Sequence, residues 1–213
     1  MRKLVLQMRI SADGFVGGPK GEIDWLLRTM DESAISWIED TLWQAGVHIM
    51  GSRTFYDMKN YWPTSSNQLA KPMNEIPKIV FSKKDQIETS TLEQTTQAFK
   101  DATRLDLENG INPLTKESIS TWTNVPIASG DLATEILALK EQEGKFILAH
   151  GGASFAQSLV RLGLIDEYRL LIHPVILGKG LPLFSSVAAP TYLQLESSTI
   201  LKTGIIANIY TPT

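Results

Sequence analysis

Short apolar runs alternate with helix-type segments along most of this chain. Residues 3–10 alternate between apolar and polar side chains, which predicts a strand, and residues 33–45 repeat apolar side chains at three-to-four spacing, which predicts an amphipathic helix. Gly46 follows that helix, where a glycine with a positive φ angle commonly ends one. Further strand-type runs occupy residues 47–50, 78–81, 125–128 and 145–150. Strands separated by helices pair in parallel through right-handed crossovers, so the order of segments predicts an α/β fold.

The last third of the chain is dominated by strand-type sequence. EYRLLIHPVIL is a long β-rich run, and two further strand-type segments flank a turn at Lys202–Gly204. These segments predict antiparallel strands at the end of a mostly parallel central sheet. A polar stretch at about 85–121 interrupts the alternation, and we interpret it as a partly helical insertion. The length fits one compact unit, so we expect a single domain over residues 1–213.

Composition excludes several classes of function. A net charge of −3 argues against nonspecific binding of nucleic acid but leaves room for a small anionic ligand. The absence of cysteine excludes disulfides, thiolate metal sites and cysteine nucleophiles, and no other metal site is expected. No signal-peptide core and no run of about 18 apolar residues is present, so we expect a cytoplasmic protein without a membrane partner.

Two strand-to-helix turns are candidate phosphate sites. At the carboxyl edge of a parallel sheet, free backbone N–H groups and the helix dipole favour an anion. The first turn consists of Gly51, Ser52, Arg53 and Thr54, and the second of Gly151, Gly152, Ala153, Ser154 and Phe155. Neither is a G-x-G-x-x-G or a Walker loop. The alternatives are an ordinary capped helix with a surface arginine at the first turn, and tight strand-to-helix packing at the second.

A third candidate group follows the strand-type run at 78–81. Ser82 and Lys83 stand at the end of this strand, where they could meet the 2′-phosphate that distinguishes NADPH from NADH. The alternative is that the lysine is simply solvated, as most surface lysines are.

Four segments together resemble the dihydrofolate reductase-like superfamily: IMGSRTF, PKIVFSKK, ILAHGGASFAQSL and LIDEYRLLIHPVILGKGLPLF. Within it, the chain looks like the reductase domain of bacterial riboflavin deaminase-reductases and the stand-alone dihydrofolate reductase family proteins. The resemblance covers Lys3 to Tyr210 except the insertion. It implies a three-layer α/β fold, with NADPH phosphates at the two turns and the adenosine end near Ser82 and Lys83. It also implies a cis peptide bond between Gly151 and Gly152.

The resemblance further implies a reductase activity. NADPH would deliver a hydride to a small pyrimidine- or pterin-like substrate, as in 5-amino-6-(5-phosphoribosylamino)uracil reductase or dihydrofolate reductase. The glycine-rich segment at 13–21 resembles a loop that closes over nicotinamide and substrate. We also expect a homodimer formed through the late antiparallel strands. The alternatives are a dinucleotide-binding sensor or interaction module without turnover, and a phosphosugar-binding protein that uses the same turns.

The sequence indicates the proton donor less clearly than it indicates the phosphate-binding turns. The carboxylate that dihydrofolate reductases keep on their first helix aligns close to Met30 in this chain. We therefore consider Asp13, in a motif similar to SxDG, together with Asp24 and His150, as proton donors or substrate anchors. Their alternative roles are a turn residue, a loop cap and a packed histidine, respectively.

Three aromatic residues are candidates for the substrate pocket. Trp25, Tyr61 and Trp62 could stack on a flat heterocycle. Packing in the core is the alternative for each of them.

Overall fold

The computed structural model describes residues 1–83, 96–108, 121–185 and 187–213. Its strands are β1 (Leu4–Ser11), β2 (Phe15–Gly17), β3 (Ala45–Gly51), β4 (Lys78–Phe81), β5 (Ile127–Ala128), β6 (Phe146–Ala149), β7 (Glu167–His173), β8 (Leu181–Pro182), β9 (Leu193–Ile200) and β10 (Ile206–Pro212). Its α-helices are α1 (Glu32–Gln44), α2 (Ser52–Tyr61), α3 (Ala70–Glu75), α4 (Gln97–Glu108), α5 (Leu132–Glu141) and α6 (Ala153–Arg161). Short 3-10 helices cover Asp24–Arg28 and Trp62–Thr64.

Eight strands form one sheet in the order β5-β4-β3-β6-β1-β7-β10-β9. The pairs from β5 through β7 are parallel. The last two pairs, β7 with β10 and β10 with β9, are antiparallel. The predicted α/β fold, with a mostly parallel sheet that ends in antiparallel strands, is confirmed.

The centre of this sheet is β1, which is buried on both faces. Leu4, Val5 and Leu6 each have 0% of their surface exposed. Leu4 and Leu6 pack in one core cluster with α5 and α6, while Val5 packs in a second cluster with α1 on the opposite face. Because each fully buried aliphatic side chain contributes about 1.5–3 kcal/mol, the strand anchors both layers of helices to the sheet.

The predicted helix over residues 33–45 is present as α1, but the prediction about how it ends is wrong. Asp31 caps α1, because its carboxylate accepts a hydrogen bond from the backbone N–H of Ala34 at 2.9 Å. The prediction that Gly46 ends this helix with a positive φ angle is wrong, because Gly46 lies inside β3. A Cβ atom there would come within 3.0 Å of the Arg2 guanidinium and 3.1 Å of Lys145 Cβ. The glycine therefore makes room for these side chains.

The polar stretch at 85–121 contains α4, so the prediction that it is partly helical is confirmed over Gln97–Glu108. Its residues before 96 and from 109 to 120 lie outside the described residues. The Asp101 carboxylate accepts a hydrogen bond from the backbone N–H of Ile23 at 3.0 Å, and Asp106 accepts one from the Tyr61 hydroxyl at 2.5 Å. These contacts hold α4 against α2 and the segment that precedes the first 3-10 helix.

The glycine-rich loop at 13–21 contains a strand that sequence reasoning missed. β2 pairs with β8 to form a two-stranded sheet, here called the β2–β8 ribbon. The backbone N–H of Leu183 donates to the carbonyl of Gly14 at 3.0 Å, and Gln157 Nε2 donates to the carbonyl of Pro182 at 2.6 Å. The ribbon is thereby attached to α6.

Among the described helices, none has the length and apolar character needed to span a membrane.

Candidate active site

A cavity of about 1090 Å³ opens at the carboxyl ends of the parallel strands. Its described lining comes from β1, the ends of β3, β4 and β5, the β2–β8 ribbon, the turn after β6, both 3-10 helices and helices α1 to α6. Ligands of open α/β sheets bind outside the carboxyl ends of the strands, so this is the expected place for a site.

Two helices begin at this cavity without a side-chain cap. Gly51 is the N-cap of α2 and Gly152 is the N-cap of α6, and neither helix has a side-chain cap hydrogen bond. By contrast, α1 and α5 are capped by the carboxylates of Asp31 and Asp131. The alternative reading of the first turn as an ordinary capped helix is therefore not supported. Uncapped N–H groups and the helix dipole favour an anion at each terminus.

The two turns lie close together, and each glycine faces a side chain of the other turn. A Cβ atom on Gly152 would lie 3.1 Å from Thr54 Oγ1, and one on Gly51 would lie 3.4 Å from Phe155 Cβ. The peptide bond between Gly151 and Gly152 is cis, as the resemblance implied. The strand order explains the proximity, because β3 and β6 are direct neighbours in the sheet.

Every residue predicted to bind the cofactor lines this one cavity: Gly51, Ser52, Arg53, Thr54, Ser82, Lys83, Gly151, Gly152, Ala153, Ser154 and Phe155. Arg53 and Lys83 are exposed, so both cations can reach a ligand in the cavity. The structure thus brings together the three segments that the sequence singled out.

Two of the predicted catalytic residues lie elsewhere. The Asp13 carboxylate accepts hydrogen bonds from Ser11 Oγ at 2.6 Å and from the backbone N–H groups of Leu177 and Gly178 at 3.1 and 2.7 Å. The Ser11 hydroxyl and these N–H groups lower the pKa of Asp13. Asp24 is exposed at the start of the first 3-10 helix, and neither carboxylate lines the cavity. Asp13 therefore fastens the loop after β7 to the end of β1.

His150 does line the cavity, directly after β6. Its ring centroid lies 4.6 Å from that of His48 in an edge-to-face arrangement. Burial, with Lys78 and Arg9 nearby, lowers the pKa of His150 to about 3. The imidazole is therefore neutral at physiological pH, which makes it a hydrogen-bonding group and not a cationic acid.

Two of the three aromatic candidates line the cavity. Tyr61 and Trp62 both line the cavity, with ring centroids 4.7 Å apart. Trp25 does not line it: its Nε1 donates to the carbonyl of Glu22 at 3.1 Å, and its ring packs edge-on against His173 at 5.3 Å. A stacking role for Trp25 is therefore not supported, whereas Tyr61 and Trp62 are placed for one.

Sequence reasoning missed three polar residues in the cavity wall. Gln7 and Arg9 line it from β1, and Asp57 lines it from α2. Among the described residues that line the cavity, Asp57 is the only acidic one. Its carboxylate accepts a hydrogen bond from Thr96 Oγ1 at 2.6 Å. Burial raises the pKa of this carboxyl group. A usable signal was present in β1, because a central parallel strand is normally apolar on both faces and polar residues within one mark a special site.

Comparison with known proteins finds relatives that match almost the whole chain. The chain is 29% identical to the uncharacterized protein YyaP of Bacillus subtilis (strain 168), over 98% of this chain and 94% of that protein. A putative riboflavin biosynthesis protein from Shewanella sp. PV-4 superposes with a TM-score of 0.65 at 18% identity, covering 100% of this chain and 99% of the other. Dihydrofolate reductase from Enterococcus faecalis superposes with a TM-score of 0.56 at 11% identity, covering 99% and 96%.

A family model also matches almost the whole chain. The model describes the RibD C-terminal domain and matches residues 2–207. The three-layer arrangement shared with dihydrofolate reductase agrees with this assignment. The chain belongs to the RibD C-terminal domain family.

Proposed function

We propose that this protein is a reductase that binds NADPH and uses it to reduce a small, flat heterocycle of the pyrimidine or pterin type. One observation carries the proposal: two uncapped helix N-termini, those of α2 and α6, meet at neighbouring strand ends in one large cavity. Membership of the RibD C-terminal domain family supports a reductase of that type.

The residues of the cavity suit a dinucleotide. Each uncapped terminus can hold one phosphate of the diphosphate through backbone N–H groups. Arg53, on the first turn of α2, adds a guanidinium able to bind phosphate bidentately. Ser82 and Lys83, beyond the end of β4, suit the 2′-phosphate. At the level of the fold, the similarity to the dihydrofolate reductase from Enterococcus faecalis, whose structure is a complex with NADP(H), supports a nicotinamide cofactor.

The rest of the cavity suits a flat substrate. Tyr61 and Trp62 offer aromatic surfaces, and Leu26, Ile38 and Leu42 offer apolar ones. The β2–β8 ribbon contributes Val16 and Leu181, which help to keep water from the reaction. When bound, the nicotinamide supplies the hydride. Asp57 or a water molecule then supplies the proton to the reduced substrate.

Single-turnover measurements test the proposed function. We expect the protein to bind NADPH, and the bound NADPH to be oxidised by at least one member of a panel of pyrimidines, pterins and quinones. Binding without oxidation across the panel would instead favour a dinucleotide sensor. A thermal shift with sugar phosphates and none with NADPH or NADH would contradict the cofactor assignment.

Replacement of Arg53 tests the phosphate site. A charge-assisted hydrogen bond contributes about 1.5–3 kcal/mol, so Arg53→Ala should weaken NADPH binding by about 10- to 100-fold. Titration calorimetry measures the change, and Arg28→Ala is the matched control because Arg28 is also exposed but does not line the cavity. Equal NADPH affinities for the two variants would show that Arg53 does not bind the cofactor.

We further propose a homodimer formed through β9 and β10. β9 is at the edge of the sheet, and its Ile200 and Leu195 are 78% and 52% exposed. An exposed apolar edge strand is a surface that proteins normally cover.

Sedimentation should give about twice the 23.6 kDa of one chain. Ile200→Lys should shift the protein toward the monomer, whereas Leu137→Lys, at an exposed position of α5, should not.

A further inference from the structure

Asp57 occupies a central position on the face of α2 that lines the cavity. Among the described lining residues it is the only acidic one. Arg53 lies one helical turn before it and Tyr61 one turn after it, and all three line the cavity. Residues four apart share a helix face and are separated by about 6 Å along the axis. The carboxyl group therefore lies between a proposed phosphate ligand and a ring that is placed to stack on a substrate.

Thr96 orients this carboxyl group. Its Oγ1 donates a hydrogen bond to Asp57 Oδ2 at 2.6 Å, and its backbone N–H donates to Oδ1 at 3.3 Å. The Thr96 hydroxyl also accepts a hydrogen bond from the backbone N–H of Phe99 at 3.2 Å, at the start of α4. The carboxyl group is thus held at both oxygens by a second element of the structure. A group that transfers a proton has to be held in this way.

Burial and a neighbouring cation act on the protonation of Asp57 in opposite directions. Burial raises the pKa of Asp57, whereas the two hydrogen bonds from Thr96 and the positive charge of Arg53 lower it. Among the described residues, Arg53 is the charged group that contributes to this balance. The other elements packed against α2, which are α4, β3, β4 and the second 3-10 helix, contribute the uncharged Thr96. A change in the charge at Arg53 therefore changes the protonation of Asp57.

A bound phosphate would make such a change. Arg53 is exposed on the first turn of α2, where we place a phosphate of the cofactor. A guanidinium that pairs with a phosphate no longer presents a net positive charge to the carboxylate one turn away. The cofactor also displaces water from the cavity, and loss of water disfavours the charged form of a carboxyl group. Both effects favour the protonated form of Asp57 when the cofactor is bound.

We infer that Asp57 donates the proton to the substrate, that Thr96 is its positioning residue, and that NADPH binding promotes protonation of Asp57 by engaging Arg53. The inference rests on the proposed function and assigns the source of the proton. Reduction of a C=N bond in the heterocycle adds a hydride to the carbon and a proton to the nitrogen. The hydride comes from the cofactor, which leaves as NADP⁺. The proton comes from the Asp57 carboxyl group, which is left as a carboxylate and takes up a proton from solvent when the next NADPH binds.

Proton uptake on NADPH binding tests the inference without any substrate. Calorimetric titration in two buffers of different ionisation enthalpy measures it between about pH 5 and pH 7. We expect the wild type to take up more protons per NADPH than Asp57→Asn, by up to about one proton. The 2′-phosphate of NADPH itself titrates near about pH 6, but its contribution is the same in both proteins. Arg53→Ala should also take up fewer protons than the wild type, because its cation is already absent before binding.

Asp24→Asn is the matched control, because Asp24 is an exposed carboxylate that does not line the cavity. It should take up as many protons as the wild type. Equal uptake by the wild type and Asp57→Asn would overturn the coupling between NADPH and Asp57, although NADPH binds. If the wild type does not bind NADPH at all, the proposed function fails and the inference fails with it.

The pH profile of turnover tests the roles of the two residues. Because the protonated carboxyl group is required, kcat should fall as the pH rises through the pKa of Asp57 in the bound complex. Asp57→Asn should lower kcat by about 100-fold or more and remove this pH dependence. Thr96→Val removes a hydrogen bond that favours the carboxylate, so the fall in kcat should move to higher pH. Thr96→Ser keeps the hydroxyl and should restore the wild-type profile.

Two results would contradict these roles. A kcat of Asp57→Asn within about twofold of the wild type would show that Asp57 is not the proton donor. A Thr96→Val variant with a lower kcat but an unmoved pH profile would show that Thr96 supports the structure without positioning the acid.

Discussion

Acidification from about pH 7 to about pH 5 should destabilise this protein by about 2 kcal/mol for each of His150 and His173, with a further loss from His48. All three are buried or lie in the cavity wall beside cations. Burial lowers the pKa of His150 to about 3 and that of His173 to about 4, and burial with His150 and Lys78 nearby lowers the pKa of His48 well below its usual value. In the unfolded chain each histidine titrates near 6.5.

The direction of the effect follows from proton binding. Below about pH 6.5 the unfolded chain binds protons at positions where the folded protein does not, so the free energy of unfolding falls as the pH falls. The histidine contribution is complete above about pH 6.5 and is lost progressively toward the folded pKa values of about 4 and 3. Since the whole free energy of unfolding is typically about 5–15 kcal/mol, the loss is a large part of it.

Urea unfolding at a series of pH values measures this dependence. His48→Gln removes one group whose pKa is lowered in the folded protein, so the slope of unfolding free energy against pH should decrease between pH 6 and 5. Asp131→Asn is the control, because hydrogen bonds from Thr134 lower the pKa of Asp131 and place its own titration below this range. If the wild-type protein had the same free energy of unfolding at pH 7 and at pH 5, the histidines would have to bind protons in the folded state as well, and the prediction would be wrong.

Gly180→Ala should lower NADPH affinity and turnover by about 10-fold or more through the β2–β8 ribbon. A Cβ atom at this position would lie 2.2 Å from the carbonyl oxygen of Gly17 and 3.2 Å from Phe15 Cδ1. A contact with backbone cannot be relieved by a rotamer change, so β2 must shift at a cost of about 1–3 kcal/mol. Because β2 and β8 line the cavity through Val16, Gly17 and Leu181, the shift opens the site.

Gly163→Ala is the matched control. Gly163 follows α6 with a φ of +63°, and a Cβ atom there would have no neighbour within 4 Å. Its substitution costs about 1 kcal/mol through backbone conformation alone and should leave NADPH affinity unchanged. Calorimetric titration and steady-state turnover of the two variants distinguish a ribbon effect from general destabilisation. Equal losses of NADPH affinity and turnover in Gly180→Ala and Gly163→Ala would show that the β2–β8 ribbon does not cover the site.

The fold and the positions of the two candidate turns could be predicted because their signals are local. Periodicity marked β1, α1 and the late strands, and a glycine directly after a strand marked each turn. Asp13 shows where local signals fail. Its motif suggested chemistry, but its carboxylate binds backbone N–H groups at Leu177 and Gly178, which are more than 160 positions away in sequence. No local pattern contains that partner.

Arg9 was missed for a related reason. Alternation along residues 3–10 placed Arg9 on the polar side of a strand, and a polar side is normally solvated. The strand order, in which β6 and β7 flank β1, shows that this side faces the cavity. Asp57 was missed because it lies on an amphipathic helix, where an exposed carboxylate is ordinary. Its role depends on Thr96, which belongs to the stretch interpreted as an insertion.

The central place of β1 in the sheet also determines when the molecule can fold. This strand is synthesised before both of its partners, since Leu6 pairs with Ala149 on one side and with Tyr168 on the other. Loop-closure entropy for such distant contacts slows folding. The nascent chain must therefore carry an unpaired apolar strand until β7 has been synthesised, which exposes this segment to aggregation during translation.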